Sequence, residues 1–68
     1  MSERESLFDL VRYALDEART SYHGVMVALR DESLEDDYRE QTERARDLLG
    51  DAIDSLEYVA INLEVERV

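Results

Sequence analysis

Any chemistry in this chain would have to start from one histidine, eighteen carboxylates, four tyrosines and a few serine and threonine hydroxyls, since its 68 residues include no cysteine. His23 shares a helical stripe with Asp16 one heptad earlier and Arg30 one heptad later, which describes a solvated face. Nucleophilic or acid–base catalysis needs a second group held within hydrogen-bond reach of the first. No Ser-His-Asp set, paired buried carboxylates or phosphate-cradling glycine loop can be assembled from this sequence. A di-iron bundle would need Glu-x-x-His pairs aimed inward, and the chain has none. Asp31, Glu32, Glu35, Asp36 and Asp37 cluster tightly, but without the glycine and ligand order of an EF-hand loop. They read as a solvated turn. The sequence therefore assigns no catalytic, cofactor-binding or metal residue, and the expectation is a protein that is not an enzyme.

Charge narrows the partners. Eighteen acids stand against eight bases for a net charge of −10, and every base is arginine. This lysine-free acidic composition resembles that of proteins from extreme halophiles, although high genomic G+C content also favours arginine over lysine. Phosphate binding needs a basic stripe that displaces counterions. Arg12 with Arg19, and Arg39 with Arg46, share faces, but each set is interleaved with acids. Direct nucleic-acid binding is disfavoured. The first residues hold no apolar signal core, and no run approaches the ~18 apolar residues of a membrane span. A cytoplasmic protein without a membrane partner is the expectation.

The elements that would position any site are helices. Phe8, Val11, Leu15, Ala18, Tyr22, Val25 and Leu29 alternate at spacings of three and four, the seam of a helix packed on other helices. A second seam runs through Tyr38, Thr42, Ala45, Leu49, Ala52, Leu56, Val59 and Leu63. Ser2 with Glu5 makes a capping box for the first helix, expected over about 3–30. Ser33 followed by Asp36 is a second N-cap signature, giving a turn over 31–33 and a second helix over about 34–64. From Ile61 to Glu66 apolar and polar residues alternate as in a strand, so a short extended tail rivals the helix there. The pairs Arg12–Asp16, Glu35–Arg39 and Glu40–Arg44 stand at i,i+4, each worth ~0.2–0.5 kcal/mol. The fold class is all-α: one antiparallel two-helix hairpin.

At 68 residues the chain falls below the ~70–80 at which one core is usually self-sufficient. Folding about Glu32 places Leu15 opposite Leu49, Val11 opposite Ala52 and Ile53, and Phe8 opposite Leu56. On that register Val59, Ala60 and Leu63 overhang the polar start at Met1, Arg4 and Glu5, while Val25 to Leu29 face Tyr38 to Thr42. A two-fold dimer laying one turn end beside the partner's terminal end would cover both, giving a four-helix bundle homodimer. The expected interface is Leu7, Ala14, Ser21, Val25, Met26, Ala28 and Leu29 with Tyr58, Val59, Ile61, Leu63 and Val65. Thr20, Gly24 and Ala28, spaced by four, would allow close helix approach. Read alone, Gly24 is a tolerated helix glycine costing ~1 kcal/mol. In architecture such a dimer resembles the Rop-like hairpin dimers. Tyr58, Ile61, Val65 and Val68 also form an apolar stretch on which another protein could dock. The functional expectation is a homodimeric assembly or protein-interaction module. A nucleic-acid-associated regulator and a purely structural protein are the alternatives.

Overall fold

The computed structural model describes residues 3–67, and their side chains from Ser6 to Glu66. Two α-helices, α1 (Glu3–Leu29) and α2 (Asp36–Arg67), pack against each other as a hairpin, with no strand among the described residues. A 32-residue helix is about 48 Å long at 1.5 Å per residue, and the hairpin's long axis measures 48 Å. The expected cap at Ser2 lies outside the described residues, as does Val68. The alternating stretch from Ile61 to Glu66 continues α2. A lone strand there would leave its backbone groups unpaired, whereas helix satisfies them within the segment.

The break between the helices runs from Arg30 to Glu35, wider than a turn over 31–33. Ser33 does not cap α2. Its backbone N–H and its hydroxyl both donate back to Asp31 Oδ1, at 2.9 and 2.7 Å. The first bond of α2 instead runs from the Arg39 N–H to the Glu35 carbonyl at 2.7 Å. Asp36 and Asp37 occupy the first turn, where negative charge complements the helix dipole.

The C-terminus of α1 has no left-handed glycine to close it. Its last turn tightens through Arg30 N–H to Val27 O and Asp31 N–H to Ala28 O, both 3.1 Å. Arg39 reaches back from α2 to finish the job. Its guanidinium donates to the carbonyls of Leu29 (2.7 Å), Asp31 (3.0 Å) and Leu34 (3.4 Å). The Leu29 carbonyl is one that a helix end leaves orphaned, while Asp31 and Leu34 lie in the turn. The expected Glu35–Arg39 pairing yields to this latch, since one planar fork serves several carbonyls at once. Arg39→Ala should lower the unfolding free energy by about 1–2 kcal/mol, and Arg39→Lys should recover only part of it. Urea unfolding followed by circular dichroism measures both, and an unchanged midpoint for either would remove the latch from the account.

The carboxyl of Asp31 is held below its ordinary value of 3.8, first by the Ser33 hydroxyl bond and then by the Ser33 N–H bond. The folded group thus keeps its charge to lower pH than the unfolded one. Its contribution to stability is full above the unfolded value and is lost as pH falls through the folded one. Carboxyl resonances followed by NMR should show Asp31 titrating below its ordinary value, with Ser33→Ala returning it towards that value.

The α1 seam packs as its spacing predicts: Leu15 is buried, and Phe8, Val11, Ala18, Tyr22, Val25 and Leu29 are half-buried. The α2 seam is rotated from the expected one. Thr42, Ala45, Leu49, Leu56 and Leu63 do turn inward, but Tyr38, Ala52 and Val59 are exposed. Their places are taken by Arg39, Ile53 and Ala60, one residue on, and Arg46 is half-buried next to Ala45. Ile53 buries more apolar surface than Ala52, and the stems of Arg39 and Arg46 can cover apolar neighbours while their heads stay polar.

The pairing register moves as well. Tyr22 lies across from Gly50, where an added Cβ would stand 3.9 Å from the ring, and Arg19 reaches Glu57 at 3.8 Å. Leu15 consequently lies beside Glu57 and Ala60 rather than opposite Leu49. The slide removes the overhang: Ala60 is 5% exposed, beside Arg12 and Leu15, and Leu63 is half-buried.

Candidate functional site

Once the two seams face each other, helix geometry sorts the remaining surface into flanks. Residues one before the α1 seam (Leu7, Ala14, Ser21, Ala28) lie on one side, and those one after it (Arg12, Arg19, Met26) on the other. On α2 the corresponding rows are Tyr38, Ala45, Ala52 and Val59 on one side and Glu43, Gly50, Glu57 and Glu64 on the other. The Arg19–Glu57 and Tyr22–Gly50 contacts show which rows share a flank. Ala28 and Tyr38 line a shallow hollow beside the turn with Asp31, Ser33, Leu34 and Glu35, on the opposite flank.

The two flanks differ in kind. One carries Asp9, Arg12, Asp16 and Arg19 from α1 and Glu40, Glu43, Asp47, Asp54, Glu57 and Glu64 from α2. Ion pairs of the described residues include Arg19 with Asp16 (4.0 Å) and Glu57 (3.8 Å), and Arg46 with Asp47 (3.1 Å). All are at least partly exposed, so each is worth under about 1 kcal/mol. They stand where the i,i+4 pairs Arg12–Asp16 and Glu40–Arg44 were expected.

The other flank is almost without charge. Outside the Leu7 and Tyr38 rows it continues through Leu10, Glu17 and Gly24 on α1 and Gln41, Leu48, Ser55 and Asn62 on α2. From Leu7 to Ala28 and from Tyr38 to Asn62, Glu17 is its single charged residue, in a chain that is 38% charged. Chance placement would have spread acids over both flanks. Leu7 (51%), Leu10 (65%), Tyr38 (64%), Leu48 (64%) and Val59 (41%) are all substantially exposed on it.

The residues expected at an interface divide among several places. Leu7, Ala14, Ser21, Ala28 and Val59 share the uncharged flank. Val25, Leu29 and Leu63 are half-buried within the hairpin itself. Met26 is on the charged flank, and Ile61 is 60% exposed beside Arg12, Arg19 and Glu64. Tyr58 and Val65 project from the back of α2, 71% and 67% exposed. Tyr38, Leu48 and Ala52 also lie on the uncharged flank, outside the expected set. The sequence signal of this flank on α2 is the run of uncharged residues at heptad-related positions from Tyr38 to Asn62.

His23 is exposed on α1. Among the described residues no three His, Asp or Glu side chains are grouped to hold a metal ion, and no helix is long and apolar enough to cross a membrane. Of the acids at the turn, Asp31 accepts from Ser33 through its carboxylate, and Glu35 supplies its backbone carbonyl to the first bond of α2.

The fold defines a two-helix all-α hairpin. No family model, curated protein or solved structure matches the chain.

Proposed function

We propose that this protein is a non-enzymatic assembly module whose working unit is a homodimeric four-helix bundle, formed when two hairpins bury their uncharged flanks against each other. The observation that carries this reading is the uncharged flank itself. Supporting it is the poverty of the hairpin's own core, in which only Leu15 and Ala60 are fully buried among the described residues. A compact chain of 7.9 kDa would expose about 4,400 Å². This one exposes 5336 Å², so the excess is roughly the ~800 Å² that each partner gives to a standard interface. The radius of gyration, 15.4 Å, exceeds the ~11 Å of a compact domain of this length. A second hairpin laid on the flank would cover that surface and thicken the rod. The charged flanks would then face outward on both sides, and the acid-rich surface is a poor match for nucleic-acid phosphates.

Dimerisation couples folding to concentration and to salt. A ligand that binds only the folded state raises apparent stability, and here the ligand is a second copy. Each hairpin brings a charge of −10, and at molar salt the Debye length of ~3 Å screens the resulting repulsion. The midpoint of thermal unfolding should therefore rise with protein concentration, and rise further in molar KCl. A midpoint that stays fixed across a hundredfold dilution in molar KCl would refute the dimeric unit.

A further inference from the structure

We infer that pairing of the uncharged flanks is regulated by protonation of Glu17, the one charge each flank carries, so that the dimer tightens as pH falls. This rests on the homodimer proposed above and adds what sets its strength. Glu17 lies near the middle of α1, in the outer row of the flank between Leu10 and Gly24. Each of these is seven residues away, about 10 Å along the helix. Leu10 is 65% exposed, and an added Cβ at Gly24 would meet nothing within 4 Å. A partner that covers both spans Glu17 as well.

Ala14 and Ser21, beside Glu17 on the inner row, are too small to hold that partner away. The Glu17 carboxylate therefore loses water on pairing, which disfavours the charged form of a carboxyl. A nearby cation would offset the loss, and the interface has none to give. A two-fold interface offers each copy the same surface that the copy itself presents, whichever way the two hairpins are turned. On that surface Tyr13, Ala14, Thr20 and Ser21, one turn from Glu17, are uncharged. So is every residue of the α2 rows from Tyr38 to Asn62.

The arginines whose side chains are described all lie elsewhere. Arg12 and Arg19 stand on the charged flank, Arg30 continues the stripe of Asp16 and His23, and Arg44 shares the back of α2 with Tyr58. Arg46 pairs with Asp47, and Arg39 holds the carbonyls at the turn. Glu17 thus meets neutral groups or a second Glu17, and two carboxylates brought together work against association. The protonated acid suits either neighbour better than the carboxylate does. Each copy takes up part of a proton on pairing, and by linkage added protons favour the dimer.

Glu17→Gln imitates the neutral acid at nearly the same volume, and Glu43→Gln removes one charge from the other flank. Equal net charge in the two variants separates the effect of Glu17 from general repulsion. Histidine also changes charge between about pH 7.5 and about pH 5, and both variants retain His23. Sedimentation equilibrium in molar KCl at these two pH values reads the dissociation constants. At the higher pH Glu17→Gln should dimerise about 30-fold more tightly than the wild type. The wild type should tighten about 3-fold at the lower pH, a response that Glu43→Gln keeps and Glu17→Gln loses. A dimer with the same constant and the same pH response in Glu17→Gln as in the wild type overturns the inference and leaves the dimer standing. Equal tightening by Glu43→Gln does the same. A wild-type mass of one chain at both pH values overturns the dimer and the inference with it.

Discussion

Ala52→Arg is expected to raise the dissociation constant of the dimer by about 100-fold, equivalent to ~2.7 kcal/mol. Ala52 is exposed on the hairpin, so the longer side chain costs the isolated chain little. In the dimer it lies in the inner row of the flank, level with Ser21, where a guanidinium would be buried without a partner. The choice of arginine matters, because it lowers the net negative charge and so removes general repulsion as an explanation. Glu43→Gln on the charged flank changes the net charge by the same amount. That variant should keep the dimer. Sedimentation of both at a series of concentrations reads the two constants, and equal weakening by both would deny the flank any special part.

Leu15→Ala should have the largest effect on the fold itself. Leu15 is 2% exposed, the most buried described side chain, and it holds the middle of α1 against Glu57 and Ala60. Removing a buried leucine side chain typically costs about 2–5 kcal/mol, through lost transfer free energy and the cavity left behind. A small domain with so thin a core has little stability to spare. The variant should lose most of its helicity in dilute buffer and regain part of it at high concentration in molar KCl, where pairing opposes unfolding. Far-ultraviolet circular dichroism reports this directly. Wild-type helicity and an unchanged midpoint would mean that the hairpin is not held together at Leu15.

How much of this was legible from the residues differs between the two helices. The α1 seam was plain, because Phe8, Val11, Leu15, Tyr22, Val25 and Leu29 are large apolar residues among charges, and all turn inward. On α2 two stripes of the same three-four spacing run one residue apart, through Ala45, Ala52 and Val59 or through Arg46, Ile53 and Ala60. Both contain apolar and small residues, and both share Leu49, Leu56 and Leu63. Apolar character alone points to the first stripe. Arg39 and Arg46 are half-buried instead, and Arg39 uses its guanidinium on backbone carbonyls that no sequence pattern displays.

The turn and the register were hidden as well. Ser33 and Asp36 have the types and spacing of an N-cap, but Asp31 takes both Ser33 donors, and the turn widens to Arg30–Glu35. The slide of one helix along the other, which brings Ala60 beside Leu15, removes the overhanging ends on which a dimer was expected. The case for a partner moves from the ends of the hairpin to its side. The absence of charge there was present in the sequence, and the rotation of α2 is what gathers it into one surface.

The most direct test of the central claim, that the uncharged flank joins two copies, is the molar mass of the folded chain by sedimentation equilibrium in molar KCl. The account predicts twice 7.9 kDa for the wild-type chain and 7.9 kDa for Ala52→Arg at the same concentration. A wild-type chain that is fully helical at 7.9 kDa, at concentrations up to the millimolar range, would contradict it.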